Sequence, residues 1–157
     1  MMLREKLYPR LLIISVVLAL VGVVNATYLA YTSFAGISPL CTIISGCDLV
    51  AASPYSRVFG VPLSLFGVFF YLLLAGFSLW GIINPLKKVS LYLVGATTLG
   101  FLLSLYFLYL QAFIIKAFCQ YCLLSLFDAT VLFILALCVW WLDHKTKKAL
   151  PHSEPSL

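Results

Sequence analysis

The chain has 157 residues, of which 64% are hydrophobic and only 10% are Asp, Glu, Lys or Arg, whereas a water-soluble domain is nearer half apolar and a quarter charged. Polar surface this sparse cannot cover a globule in water, so lipid is the solvent for most of the chain, and the length fits one domain. The net charge of +5 does not mark a nucleic-acid binder, because the basic residues stand at the ends of apolar runs rather than on a patch and no recognition motif accompanies them.

In chain order, four segments reach the ~20 apolar residues needed to cross about 30 Å of hydrocarbon: residues 11–32, 63–83, 89–110 and 118–142. Backbone in lipid must satisfy its own hydrogen bonds, so each is expected to be a helix. The period-two alternation of a membrane β-barrel is absent. The first run is too long for a signal-peptide core and no convincing small-residue cleavage site follows it, so it reads as a retained span. The expected fold is an all-α membrane protein, a four-transmembrane-helix bundle making a single domain over residues 1–157. A loop at about 34–62 joins the first two spans. Its apolar stretch Val58-Phe59-Gly60-Val61-Pro62 is too short to span, and a short interfacial half-helix is expected to cap this end of the bundle.

Lys and Arg set the orientation. Arg4, Lys6 and Arg10 precede the first span, Lys87 and Lys88 lie in the second connection, and Lys145, Lys147 and Lys148 follow the fourth. In a four-span chain these fall on one side, which the positive-inside rule makes cytoplasmic. Both termini are then inside the plasma membrane, and the 34–62 loop and the 111–117 connection are extracytoplasmic, with only Arg57 and Lys116 on that side. Trp80, Trp140 and Trp141 fall at the cytoplasmic edge, as an interfacial aromatic belt would. The polar tail from Asp143 onward is expected to fray.

Five cysteines remain to be explained. Cys138 lies sixteen residues beyond Cys122, ~24 Å along a helix, out of disulfide reach. It reads as a packing residue, since a buried free Cys acts as a small hydrophobe. Cys119-Gln120-Tyr121-Cys122 opens the fourth span, where unpaired backbone N–H groups and the helix dipole favour a thiolate. Lys116, three residues earlier, adds a cation. The motif alone is also half of a zinc site. The other half would have to be Cys41 and Cys47, whose spacing is wide for a structural site, and His144 and His152 lie on the opposite side, so no metal is expected. Cys41 and Cys47 admit two readings: a fixed staple of an exposed loop in an oxidising compartment, or half of a relay in which a loop dithiol exchanges with the helix pair.

The run Cys47-Asp48-Leu49-Val50-Ala51-Ala52-Ser53-Pro54-Tyr55-Ser56, followed by Gly60-Val61-Pro62-Leu63 and Phe66-Gly67, together with the four spans, the loop pair and the Cys-x-x-Cys, resembles the vitamin K epoxide reductase family. The likeness covers nearly the whole chain and is to prokaryotic members without a fused thioredoxin-like domain. It implies a bundle around a quinone (ubiquinone, menaquinone or similar) as electron-accepting substrate, and a thiol:quinone oxidoreductase that drives disulfide formation. It also implies a separate, DsbA-like extracytoplasmic partner of the thioredoxin type. By the resemblance Cys41 meets that partner, Cys47 passes electrons to Cys119, and Cys122 faces the quinone. Ser53 matches a family serine near the substrate, though a turn or helix-cap serine reads equally well. Vertebrate members carry an asparagine and a tyrosine where this chain has Leu63 and Leu126, which points to plain quinone rather than an epoxide.

Other residues carry less. Asp128, inside the fourth span, is a functional candidate by default, but it reads rather as a neutral group bonded to Thr97, Thr98 or Asn25. Asn25-Ala26-Thr27 fits a glycosylation pattern but lies within a span. Phe101, Tyr106, Phe107 and Tyr109 read as lipid-facing or core residues. The DsbB family runs the same reaction with the two cysteine pairs in the reverse order, and an outward thiol conduit would need a reactive pair on the cytoplasmic side. The remaining alternative is a structural or interaction protein of four spans stapled by disulfides.

Overall fold

The computed structural model describes residues 2–44, 46–84 and 89–149. The connection at residues 85–88, with Lys87 and Lys88, and the tail from residue 150 lie outside them, as do the side chains of Arg4, Lys147 and Lys148. Four helices are long and apolar enough to cross a membrane: α1 (Met2–Ala35), α3 (Leu63–Ile83), α4 (Val89–Tyr109) and α5 (Gln120–Ala149), with a six-residue helix α2 (Cys47–Ala52) in the loop. This is a multi-pass bundle. Helix α1 starts ahead of the expected span and runs through Pro9. Helix α4 continues into a wide π turn, Leu110–Ile115, which Lys116 ends in the left-handed conformation (φ +55°).

The expected fraying from Asp143 is not seen: α5 extends to Ala149, and Asp143 is buried and accepts a 3.0 Å hydrogen bond from the Ser90 hydroxyl on α4. The half-helix of the loop is α2, not the Val58–Pro62 stretch. Those residues form a small hairpin, β1 (Arg57–Val58) against β2 (Val61–Pro62). Phe59 and Gly60, at φ +51° and +83°, make the two-residue turn whose twist suits a hairpin. Arg57 donates to the Ser33 carbonyl at 3.0 Å, tying the hairpin to the end of α1.

Without a hydrophobic force between helices in lipid, close packing does the work, and small residues let backbones approach. The core runs through Leu12, Ala19 and Ala26 of α1, Tyr71, Leu74 and Ala75 of α3, Val89 and Leu93 of α4, and Leu132, Ala136 and Val139 of α5. Gly22 gives the Tyr71 ring its seat and Gly100 gives the Phe70 ring its seat; a Cβ on either glycine would collide with the ring. The hydroxyls of Ser15, Ser78, Thr97 and Thr130 each bond the carbonyl four residues back, which removes the cost of a bare hydroxyl in an apolar medium.

Candidate functional site

The site forms where the loop meets the start of α5. Cys41 and Cys47 are joined in a disulfide, with Cα atoms 6.1 Å apart, and Cys119, Cys122 and Cys138 are free thiols. Cys47 is the first residue of α2 and only 1% exposed, whereas Cys41 on the preceding loop is half-buried. The buried end of the disulfide thus points inward and the accessible end outward. Gly46 makes this docking possible: a Cβ there would lie 2.7 Å from the Phe118 carbonyl oxygen and 3.3 Å from the Ala117 Cβ. Only a residue without a side chain lets the loop approach the backbone beside Cys119 so closely.

Cys119, 2% exposed, immediately precedes Gln120, the first residue of α5. It therefore stands where a capping Ser or Asp usually stands. Its thiol is pulled down from 9.0 to about 6, first by the hydrogen bond from the Cys122 thiol and further by the backbone N–H groups of Cys122 and Tyr121, against the opposing effect of burial. A soft sulfur anion takes the capping role, and the helix start supplies the positive field. Lys116, expected to help, is exposed and is not among the causes. The Cys119 backbone N–H donates to Gln111 Oε1 at 2.8 Å, and Gln111, 3% exposed, is carried inward by the π turn.

Cys47, Cys119 and Cys122 line one cavity of about 100 Å³. Leu29, Pro39, Val50, Ala51 and Leu63 give it apolar walls, and Thr32, Ser33, Ser56 and Ser64 add hydroxyls. Ser53 is not among the lining residues. It caps the end of α2, its hydroxyl donating to the Val50 carbonyl at 2.7 Å, which is the helix-cap reading of that residue. A larger, more open cleft of about 300 Å³ between α3 and α4 shares Leu63 with the cavity and is lined also by Phe66, Phe70, Tyr71 and Phe107.

Two other expectations are corrected. Cys138 is not packed in the core: the buried stripe of α5 runs through Leu132, Ala136 and Val139, and Cys138 faces outward beside Leu7, Leu11 and Trp141. Asp128, 5% exposed, meets the Tyr71 hydroxyl rather than Thr97, Thr98 or Asn25, and its Oδ2 has no hydrogen-bond partner among the described residues. Thr97 and Thr98 bond their own helix, while Asn25 donates to Ser125 Oγ at 2.8 Å and to the Tyr121 carbonyl at 3.1 Å. Among the described residues no group of three or more His, Cys, Asp or Glu side chains is arranged to hold a metal ion.

The reading from sequence missed Gln111, Gly46 and Tyr71. Gln111 left one signal, a lone amide at the end of an apolar run. Tyr71 and Gly46 left none that distinguishes them from their neighbours.

Comparison with known proteins matches residues 13–137 to the model described as the vitamin K epoxide reductase family. The chain is also similar to the thiol-disulfide oxidoreductase LTO1 of Arabidopsis thaliana, 34% identical over 122 residues, covering 71% of this chain and 32% of that protein. The chain therefore spans about a third of that relative's length.

Proposed function

This chain belongs to the vitamin K epoxide reductase family, and on that premise we propose that it is a membrane thiol:quinone oxidoreductase that reoxidises a thioredoxin-like protein outside the cytoplasm. The observation that carries the reading is the single cavity lined by Cys47 of the loop pair together with both helix cysteines, Cys119 and Cys122, while Cys41, bonded to Cys47, stays half-buried on the loop. The sidedness follows from Lys6, Arg10 and Lys145 at the end of the bundle opposite Cys41, Cys47, Cys119 and Cys122, which the positive-inside rule puts in the cytoplasm. Lys145 lies 3.8 Å over the Trp141 ring, as suits a cation and an aromatic at a membrane boundary.

The chemistry is a two-step exchange. A thiolate of the reduced partner attacks the Cys41 sulfur, Cys47 leaves as thiolate, and the partner's second thiol resolves the mixed disulfide. The partner is then oxidised and the loop pair reduced. Cys47 next attacks Cys119 in the Cys119–Cys122 disulfide, Cys122 leaves, and Cys41 closes back on Cys47. Two electrons have now moved to the helix pair, leaving the loop pair bonded and the helix pair as a dithiol. The helix dithiol then gives two electrons and two protons to quinone and regains its disulfide. Quinone acceptors drain thiols, so the cycle runs toward disulfide formation outside.

The cavity itself is smaller than the ~300 Å³ at which ligand pockets usually begin, and the cleft sharing Leu63 offers the adjoining space. Its apolar walls and scattered hydroxyls suit a quinone ring and carbonyls, with no charged side chain among the lining residues.

The test is quinone consumption by the purified protein with dithiothreitol as donor. Wild type is expected to bleach quinone absorbance, and Cys119→Ala and Cys122→Ala to abolish it. Cys122→Ala should still exchange disulfides between partner and loop. Quinol formation at the normal rate by that variant would overturn the assignment. Cysteines that stay bonded under mild thiol, with no quinone reduced, would favour a stapled structural protein.

A further inference from the structure

Among the described residues, the loop that carries Cys41 makes few hydrogen bonds of its own. Its main chain is held instead by the two residues between the helix cysteines. Gln120 Oε1 accepts from the N–H groups of Thr42 at 3.3 Å and Ile43 at 3.1 Å, and Gln120 Nε2 donates to the Leu40 carbonyl at 3.5 Å. The Tyr121 hydroxyl donates to the same carbonyl at 2.9 Å. On the other side, the Leu40 N–H donates to the Tyr28 hydroxyl at 3.1 Å, and the Tyr28 and Tyr121 rings lie 5.0 Å apart. The backbone is thus gripped immediately before and immediately after Cys41, while Gly46 seats the far end of the same short segment on Phe118.

From this arrangement we propose that Gln120 and Tyr121 are positioning residues for electron transfer between the pairs: they form a clamp that docks the loop so that Cys47 is presented to Cys119. The proposal rests on the exchange described above. Gln120 and Tyr121 are the first two residues of α5, so one helical turn fixes Cys119, Cys122 and the loop together. Every bond from the clamp goes to loop main chain, which makes docking indifferent to loop side chains. These bonds lie at an exposed surface, so each is weak and the loop can leave and return. That suits a disulfide that must serve two customers, a soluble partner and a buried pair. The step served is closed in atoms and electrons: loop dithiol plus helix disulfide becomes loop disulfide plus helix dithiol. Orientation of this kind matters steeply, since ~1 Å of misplacement costs on the order of 10²-fold in rate.

The test isolates the Cys47–Cys119 contact in the full chain in detergent, with Cys138→Ala throughout. In a Cys41→Ser, Cys122→Ser background, the Cys47–Cys119 bond is equilibrated against a glutathione redox buffer, and mass tagging of free thiols gives its effective concentration. Gln120→Met and Tyr121→Phe, which keep size and ring stacking, should each lower that concentration several-fold, and together ~tenfold or more. Gln120→Glu, which keeps the acceptor but loses the donor, should fall between. In a Cys41→Ser, Cys47→Ser background the Cys119–Cys122 equilibrium should not move. An unchanged Cys47–Cys119 bond in the double variant overturns the clamp, and so does an equal change in the Cys119–Cys122 bond, which would mean that the substitutions disturb the helix start itself. Quinone takes no part in these equilibria. A wild type that reduces no quinone would sink the proposed activity, and the clamp would still stand or fall on the cross-link.

Discussion

Replacing Cys122 should discharge Cys119. In the reduced protein the largest influence holding the Cys119 thiol at about 6 rather than 9.0 is the hydrogen bond from Cys122, with the N–H groups of Cys122 and Tyr121 behind it. At pH 7 a thiol of pKa 6 is roughly nine-tenths thiolate, and one of pKa 9 about one hundredth. Cys122→Ala removes the side-chain donor and leaves both backbone donors, so the midpoint should rise by about one unit or more, and the thiolate fraction at pH 7 should fall from roughly nine-tenths to about a half or below. Cys122→Ser keeps an O–H donor and should stay near the parent. The assay is the pH dependence of iodoacetamide labelling at Cys119, read by peptide mass in a Cys138→Ala chain. The linkage sign follows from the depressed value. Ionisation of Cys119 favours the folded reduced protein fully above the ordinary thiol pKa near 9.0, and that contribution is lost as pH falls through about 6. A parent midpoint near 9 would refute the capping argument. A Cys122→Ala midpoint still near 6 would show that the helix start alone does the work.

The other predictions test the supports of the site. Gly46→Ala puts a methyl 2.7 Å from the Phe118 oxygen and should lift the loop away, cutting the Cys47–Cys119 effective concentration at least ~tenfold with little change in unfolding of the bundle in detergent; an unchanged cross-link would mean that the loop does not need this approach. Gln111→Leu strands the buried N–H of Cys119 and should cost ~1–3 kcal/mol in denaturant unfolding, while Gln111→Glu keeps the acceptor and should lose less; equal losses would point to packing instead. Asp128→Asn keeps volume and a partner for Tyr71 where one carboxylate oxygen now has none, so thermal midpoint and quinone turnover should both hold; a loss of turnover with intact thiol exchange would make Asp128 part of proton delivery. Phe59, fully exposed at φ +51°, should be replaceable by Asn with equal or higher stability, by up to ~1 kcal/mol, and a lower melting point would show that the ring has a partner.

The bundle was legible because lipid leaves so few options. Residues 63–83 could be read as a helix from apolar length alone, since open backbone cannot survive in hydrocarbon. What length could not convey was where a helix continues past the apolar run. Helix α5 reaches Ala149 because Asp143 finds Ser90 across the bundle, a tertiary contact that overrides the local preference of a polar stretch. The outward turn of Cys138 was hidden for a related reason. When nearly every position on a helix is apolar, hydrophobicity no longer says which face is core, and the small residues that mark contacts in membranes become the better guide, as Ala129 and Ala136 do on α5.

The cysteines were legible as a set because thiol chemistry needs sulfur and few other residues supply it. What fixes each cysteine was not, because those supports are ordinary polar residues whose meaning comes from position. Ser53 and Gln111 show the contrast. Ser53 drew attention through its place in a recognised run, and its hydroxyl is spent on the end of α2. Gln111 drew none, and it accepts the buried backbone N–H of Cys119. The same holds for Gln120: as the variable residue of a Cys-x-x-Cys it carries no motif information, yet its amide meets the loop on both sides of Cys41. A redox motif read from sequence locates the sulfurs. The order of reaction proposed for them follows exposure, which leaves Cys41 half-buried and Cys47 and Cys119 enclosed, and exposure is a property of how the loop is tied down. The residues that tie it are therefore where variants should separate partner exchange from transfer within the protein.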